Sequence, residues 1–241
     1  MRVVFMTPQV MGSPQSDQKA SPRSIPYFNS RAIEERVLEY DDLTIYTSDL
    51  RSLQRNSWLT DNAIAFATTY LKNQLLKDFV AFDVIVFPPS IIEIIKFSHE
   101  DELPIKIDKM KFYFFPINDN TNPSISFGGS HWSLLIYDPC LSRFVYLDSM
   151  YMYPPTYVNK FVKKASSIMM LDNTAEVLSP LCPKMTINGN CGMFVIEYIN
   201  IIFVRMLAGK QELYKFPQLS DEFISERRKY WLNTAYNLRK G

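Results

Sequence analysis

Apolar positions along the chain fall into two kinds of run, and the difference between them predicts most of the elements. Short continuous runs of strand length occur at Phe82–Phe87, closed by Pro88-Pro89, and at Lys111–Ile117, Trp132–Tyr137 and Arg143–Leu147. Runs that are apolar throughout, with no polar alternation, belong to strands covered on both faces, so they predict a buried central sheet. The Asp138-Pro139 turn pairs the last two as a hairpin. Shorter strands are expected at Leu43–Tyr46 and Ala175–Leu178.

Other stretches carry helical spacing. Leu59, Ile64, Phe66, Tyr70 and Leu71 cover one face of a helix that Trp58 enters, where tryptophan reads as a core or staple residue. Ser90 is expected to cap a helix through Ile91, Ile92, Ile94, Ile95 and Phe97, with His99 in a structural role near its end. A further helix runs through Val158, Phe161 and Val162, and Arg31–Tyr40 has helix-forming composition. From Met193 to Leu207 twelve of fifteen positions are apolar, the exceptions being Glu197, Asn200 and Arg205. A helix apolar nearly all round belongs in a domain centre. Ser220-Asp221-Glu222 opens a C-terminal amphipathic helix to about Leu238, whose Arg227, Arg228 and Lys229 read as a solvated basic face.

Composition narrows the class. Residues 1–35 open with a short apolar run, Val3-Val4-Phe5, and continue as a Pro/Ser/Gln-rich stretch that buries too little to order itself, so they are expected to form a flexible extension. Residues 36–241 then make one domain with a substantial core, since 47% of the chain is hydrophobic. A formal net charge of +1 gives no global attraction to nucleic acid or anionic membrane. Three unpaired cysteines, no apolar leader and no long uncharged apolar helix point to the cytoplasm or nucleus, and a monomer is expected. No cofactor is called for. Metal binding is not expected either, because no C-x-x-C or paired-histidine spacing occurs.

The candidate chemistry lies in two loops. Only seven glycines occur, and Gly128, Gly129, Gly189 and Gly192 all lie within three residues of His131 or Cys191. Glycine permits positive φ and close approach of main chain, so these positions are either turns or places where a ligand's backbone comes near. The polar loop Asn118–Ser130 is long for a hairpin, which favours a functional segment. His131 begins one strand and Asp148 ends the next, 17 residues on, so an antiparallel hairpin brings imidazole and carboxylate to the same end of the sheet. Cys191 opens the apolar helix, where the dipole favours negative charge on sulfur. A cysteine nucleophile needs a base, and the base needs an orienting acceptor; Cys191, His131 and Asp148 supply these roles. Cys140 and Cys182 read as incidental thiols.

Taken in order, Ser57-Trp58-Leu59-Thr60-Asp61, Pro116-Ile117-Asn118, His131-Trp132-Ser133-Leu134-Leu135, Tyr146-Leu147-Asp148-Ser149 and Asn190-Cys191-Gly192-Met193 resemble the Ulp/sentrin-specific cysteine proteases, over roughly residues 37–240. The resemblance implies an α+β, papain-like fold of the Ulp type. Its central mixed or antiparallel sheet is flanked by helices, and the nucleophile stands at the N-terminus of a buried helix. It implies cleavage after the C-terminal diglycine of a ubiquitin-like modifier, with Cys191 as nucleophile, His131 as proton shuttle and Asp148 holding the imidazole. Trp58 and Trp132 would form a tunnel for the diglycine, and Asp61 would meet a basic residue of the modifier's tail. Asn118, Gly128 and Gly129 would also bind substrate, in a block that looks most like the branch acting on the Nedd/Rub modifier. A SUMO-type partner is the alternative.

One departure concerns the oxyanion site. The family's usual glutamine position is Met185 here, leaving the Cys191 backbone N–H with Asn188 or Thr186 as candidate donors, and the usual Asp before the nucleophile is Asn190. A weak or inactive module that only binds the modifier therefore stays open, and acyl transfer by the same Cys–His chemistry is a more distant alternative.

Overall fold

The computed structural model describes residues 34–55, 57–81, 83–99, 108–125, 128–171 and 176–239. The extension expected over 1–35 lies almost wholly outside the described residues, as do Phe82 and Ala175 of two expected strands. The continuous apolar runs form a five-stranded mixed sheet in the order β3-β4-β5-β6-β7. Its strands are β3 (Val84–Val86), β4 (Phe112–Asn118), β5 (Trp132–Asp138), β6 (Arg143–Leu147) and β7 (Val177–Leu178). The β4–β5 and β5–β6 pairs are antiparallel, and the two edge pairs are parallel.

Every residue of β4 and β5 is buried, because the sheet is covered on both sides. Phe112, Phe114, Leu134, Ile136, Val145 and Leu147 point into one core. Tyr113, Phe115, Ile117, Leu135, Tyr137, Phe144 and Tyr146 point into the other. The first core holds α2 (Asp61–Leu75), α5 (Cys191–Leu207) and α6 (Asp221–Arg239); the second holds α3 (Pro89–Phe97) and α4 (Thr156–Ile168). This is the α+β arrangement expected, a mixed sheet flanked by helices, with the apolar helix α5 buried against the sheet.

Three local expectations are corrected. Arg31–Tyr40 does not supply a helix over its described part: Arg36–Tyr40 is strand β1, paired antiparallel with β2 (Leu43–Tyr46) across a turn in which Asp41 takes φ 50°. Helix-forming composition loses here to packing, since Leu38 is buried and the Tyr40 ring meets Phe66 and Tyr70 of α2. Ser90 is not a cap, because α3 begins at Pro89 with Pro88 ahead of it, where a missing N–H costs nothing. His99 lies beyond the end of α3 and not in its last turn.

The basic residues of α6 are not a solvated face. Arg228 is 3% exposed, and Arg227 donates through Nε to Glu197 at 2.7 Å, a carboxylate fully buried in α5. Only Lys229 is solvated as expected. A carboxylate inside an otherwise apolar helix requires such a partner, which is why this face of α6 turns inward.

Candidate active site

Residues from four parts of the fold meet at one end of the sheet. Asn118, at the end of β4, pairs with Trp132, and the Asp119 N–H donates to the His131 carbonyl at 3.1 Å, so β4 fixes the backbone just ahead of β5. Asp119 also accepts from the Ser130 and His131 N–H groups and from the Ser130 hydroxyl. His131 is thus held before its side chain makes any contact. Asp148 directly follows β6, whose register with β5 carries the carboxylate to the same sheet end.

The His131 imidazole is buried, and its Nε2 lies 2.8 Å from Asp148 Oδ1. Among the described residues its Nδ1 has no conventional hydrogen-bond partner, and Cys191 is close enough to the ring to favour its charged form. Burial alone would lower the imidazole's proton affinity. Asp148 and Cys191 reverse that and raise its pKa from 6.5 to about 9. Asp148 in turn accepts from the Tyr146 hydroxyl at Oδ2 and from the Met150 and Tyr151 N–H groups at 2.6 and 3.0 Å. Against the cost of burial, these bonds and His131 hold its carboxyl below the usual value of 3.8. Burial and the neighbouring carboxylate keep the Tyr146 hydroxyl protonated, hence a donor.

Cys191 is the first residue of α5 and 3% exposed. The turn before it uses Gly189 at φ 89°. Gly192 packs so closely on Leu59 that an added Cβ would lie 3.0 Å from its side chain. Leu59 also accepts at its carbonyl from Trp132 Nε1 at 3.2 Å. The α2 entrance is therefore tied to both the histidine strand and the cysteine helix. Upstream, Asp49 receives the Thr60 hydroxyl at 2.6 Å, while Thr60 caps α2 by accepting from the Ala63 N–H. With its neighbours so fixed, Trp58 is 48% exposed, which excludes the core reading of that residue.

Asp61, Asn118 and Gly128 line one cleft of about 350 Å³, together with Glu93, Phe97 and Asn120. Burial, then the Glu93 carboxylate, raises the Asp61 pKa. The loop beside this cleft is built by its own asparagines: Asn118, Asn120 and Asn122 each accept at Oδ1 from the N–H two residues on, at 2.7, 3.0 and 3.0 Å. Gly129, at φ +90°, sits where a Cβ would fall 1.8 Å from Asn118 Oδ1, so it is a turn required by the loop itself. Of the oxyanion candidates, Thr186 donates to Asp221, Asn188 is exposed, and Met185 packs at the edge of the core.

Several residues at the site were not singled out from sequence. Tyr146 was readable, since residues two apart share a strand face and aim at one point. The Tyr151 ring packs edge-on against His131, with centroids 5.5 Å apart, and Lys184 Nζ donates to the Asp148 and Tyr151 carbonyls at 2.7 and 2.8 Å. Cys182 is not incidental, as its thiol also donates to the Asp148 carbonyl at 3.3 Å. No periodicity marks these three residues; tertiary placement alone gives them their contacts.

A buried thiol opening a central helix, beside an imidazole anchored by a carboxylate at the edge of a mixed sheet, defines a cysteine peptidase of papain-like type. The chain belongs to the Ulp1 protease family: the family's C-terminal catalytic domain matches residues 41–238. It is 27% identical over 238 residues to a probable sentrin-specific protease 8 of Dictyostelium discoideum, covering 85% of this chain and 98% of that one. It is 28% identical over 176 residues to NEDD8-specific protease 1 of Arabidopsis thaliana, covering 70% and 76%. The fold matches the C-terminal Ulp1 protease domain solved in complex with Smt3, the yeast ortholog of SUMO, with a TM-score of 0.60, 19% identity and coverage of 87% and 90%. No described helix is long and apolar enough to cross a membrane.

Proposed function

We propose that this Ulp-family protease cleaves after the C-terminal diglycine of a ubiquitin-like modifier of the Nedd/Rub type, with Cys191, His131 and Asp148 as its catalytic residues. The observation that carries the reading is the anchored imidazole, with Nε2 on Asp148 at 2.8 Å and Nδ1 left for the Cys191 sulfur. The Cys191 thiolate attacks the carbonyl carbon of the terminal glycine. As the C–N bond breaks, imidazolium gives its proton to the leaving amine. Water then attacks the thioester, His131 takes its proton, and the C–S bond breaks to release the modifier's carboxylate. Asp148 holds the ring in the orientation this exchange needs.

The Cys191 backbone N–H, at the N-terminus of α5, serves the oxyanion in this scheme, without the side-chain amide that Met185 replaces. Losing one such donor costs on the order of 100- to 1,000-fold in turnover, which leaves measurable catalysis. Trp58 and Trp132 flank the diglycine, and Asp61 meets the basic tail as a charge-assisted partner. The choice of a Nedd/Rub modifier is supported by the names of the sequence relatives and by the Asn118–His131 block.

The test is cleavage of modifiers carrying a C-terminal fluorogenic amide. The expected result is turnover of the Nedd/Rub-type substrate well above that of the SUMO-type, abolished in Cys191→Ala. Preference for the SUMO type would replace the modifier assignment, and tight binding without turnover would make the chain a binding module.

A further inference from the structure

Arg228 lies beside the nucleophile and has no task in the mechanism above. A guanidinium carries five N–H donors in a planar fork, and here each has its own acceptor. Nε donates to Asn190 Oδ1 at 3.1 Å, Nη1 to the Ser52 and Gln54 carbonyls at 2.9 Å each, and Nη2 to the Ser57 and Gly189 carbonyls at 2.7 and 2.8 Å. All five acceptors are uncharged. A buried cation among neutral oxygens is unfavourable unless a negative charge answers it. Two of the acceptors belong to the residues immediately before Cys191, and a third to the residue immediately before Trp58.

We infer that Arg228 is a positioning residue for Cys191: its fork fastens the loop before the nucleophile to the segment before Trp58, and its charge stabilises the thiolate. The inference rests on the reading of Cys191 as nucleophile. The groups around that sulfur agree with it. His131 faces it from the start of β5, the segment just before α2 presents the apolar Leu59 beside Gly192, and on α5 itself Glu197 is turned to Arg227. Burial lowers the Arg228 pKa to about 10, and the opposing influence on it is the charge of Cys191. Asn190 fits the same scheme: its side-chain oxygen orients the fork without neutralising it.

The experiment is alkylation of the full chain by iodoacetamide over a pH series, read peptide by peptide so that Cys191 is separated from Cys140 and Cys182, alongside modifier cleavage. Arg228→Met should raise the pH midpoint of Cys191 alkylation by about one unit, slowing the reaction near neutrality about tenfold. Arg228→Lys keeps the charge but cannot span both segments, so it should leave the midpoint near wild type and lower cleavage about tenfold or more. A folded Arg228→Met protein with an unchanged midpoint would overturn the inference. If that variant does not fold, Arg228→Lys decides, and wild-type cleavage in it would overturn the inference equally. A midpoint shift in a protein that cleaves no modifier would support the Arg228 assignment while counting against the proposed substrate.

Discussion

Four hydrogen bonds converge on the Asp148 carboxylate, from His131, Tyr146, Met150 and Tyr151, and they set how the neighbouring imidazole titrates. The His131 pKa is raised to about 9, so imidazolium is the resting form through neutrality, and the alkaline limb of kcat/KM should fall as pH passes about 9. Asp148→Asn removes the charge that sustains imidazolium. The limb should then move to lower pH, with turnover reduced by as much as about 10⁴-fold; a limb that stays in place would contradict the pairing. Stability follows the same signs. The raised His131 pKa contributes stability fully below about 6.5 that is lost as pH rises through about 9, whereas the depressed Asp148 pKa contributes above about 3.8 and is lost as pH falls through its lowered value. These side chains were legible in sequence because a strand start and a strand end fix where they go. Arg228 was not, since three consecutive basic residues on a helix look alike until a buried carboxylate and a set of loop carbonyls select among them.

Among the elements, the loop between β4 and β5 owes its shape to its own polar side chains. Its length and polarity marked it as special, and its two glycines were open to a ligand-approach or a turn reading. The asparagine side chains fold back on their own backbone, and Gly129 closes against one of them. Gly129→Ala should therefore lower stability by about 1–3 kcal/mol through positive φ and the clash with Asn118. Gly128→Ala, where φ is not positive and an added Cβ would meet the Asn120 side chain alone, should cost less. Thermal denaturation of the two variants checks the order, and equal midpoints would refute it. The continuous strands β4, β5 and β6 were readable because burial on both faces leaves an unmistakable apolar run. The β1 strand was missed because its composition favours helix, and only the pairing with β2 and the tyrosine packing on α2 override that preference.

Across the whole molecule, the sheet end gathers an imidazole, a carboxylate and a cysteine from separate segments of the chain, and the C-terminal helix reaches back to brace the loop in front of the cysteine. The order of motifs made the family legible without coordinates. The bracing was not legible, because it joins residues 52–57 to residue 228, a contact that no local pattern records. The central claim is that this assembly makes Cys191 the nucleophile toward a diglycine tail. Its most direct test is intact-mass and peptide mass spectrometry after mixing the protein with a Nedd/Rub-type modifier whose terminal glycine carries a thiol-reactive electrophile. A single adduct on Cys191, absent in Cys191→Ala and slowed in Asp148→Asn, is the predicted result. A protein that binds the modifier but stays unmodified, or is modified at Cys140 or Cys182, would contradict it.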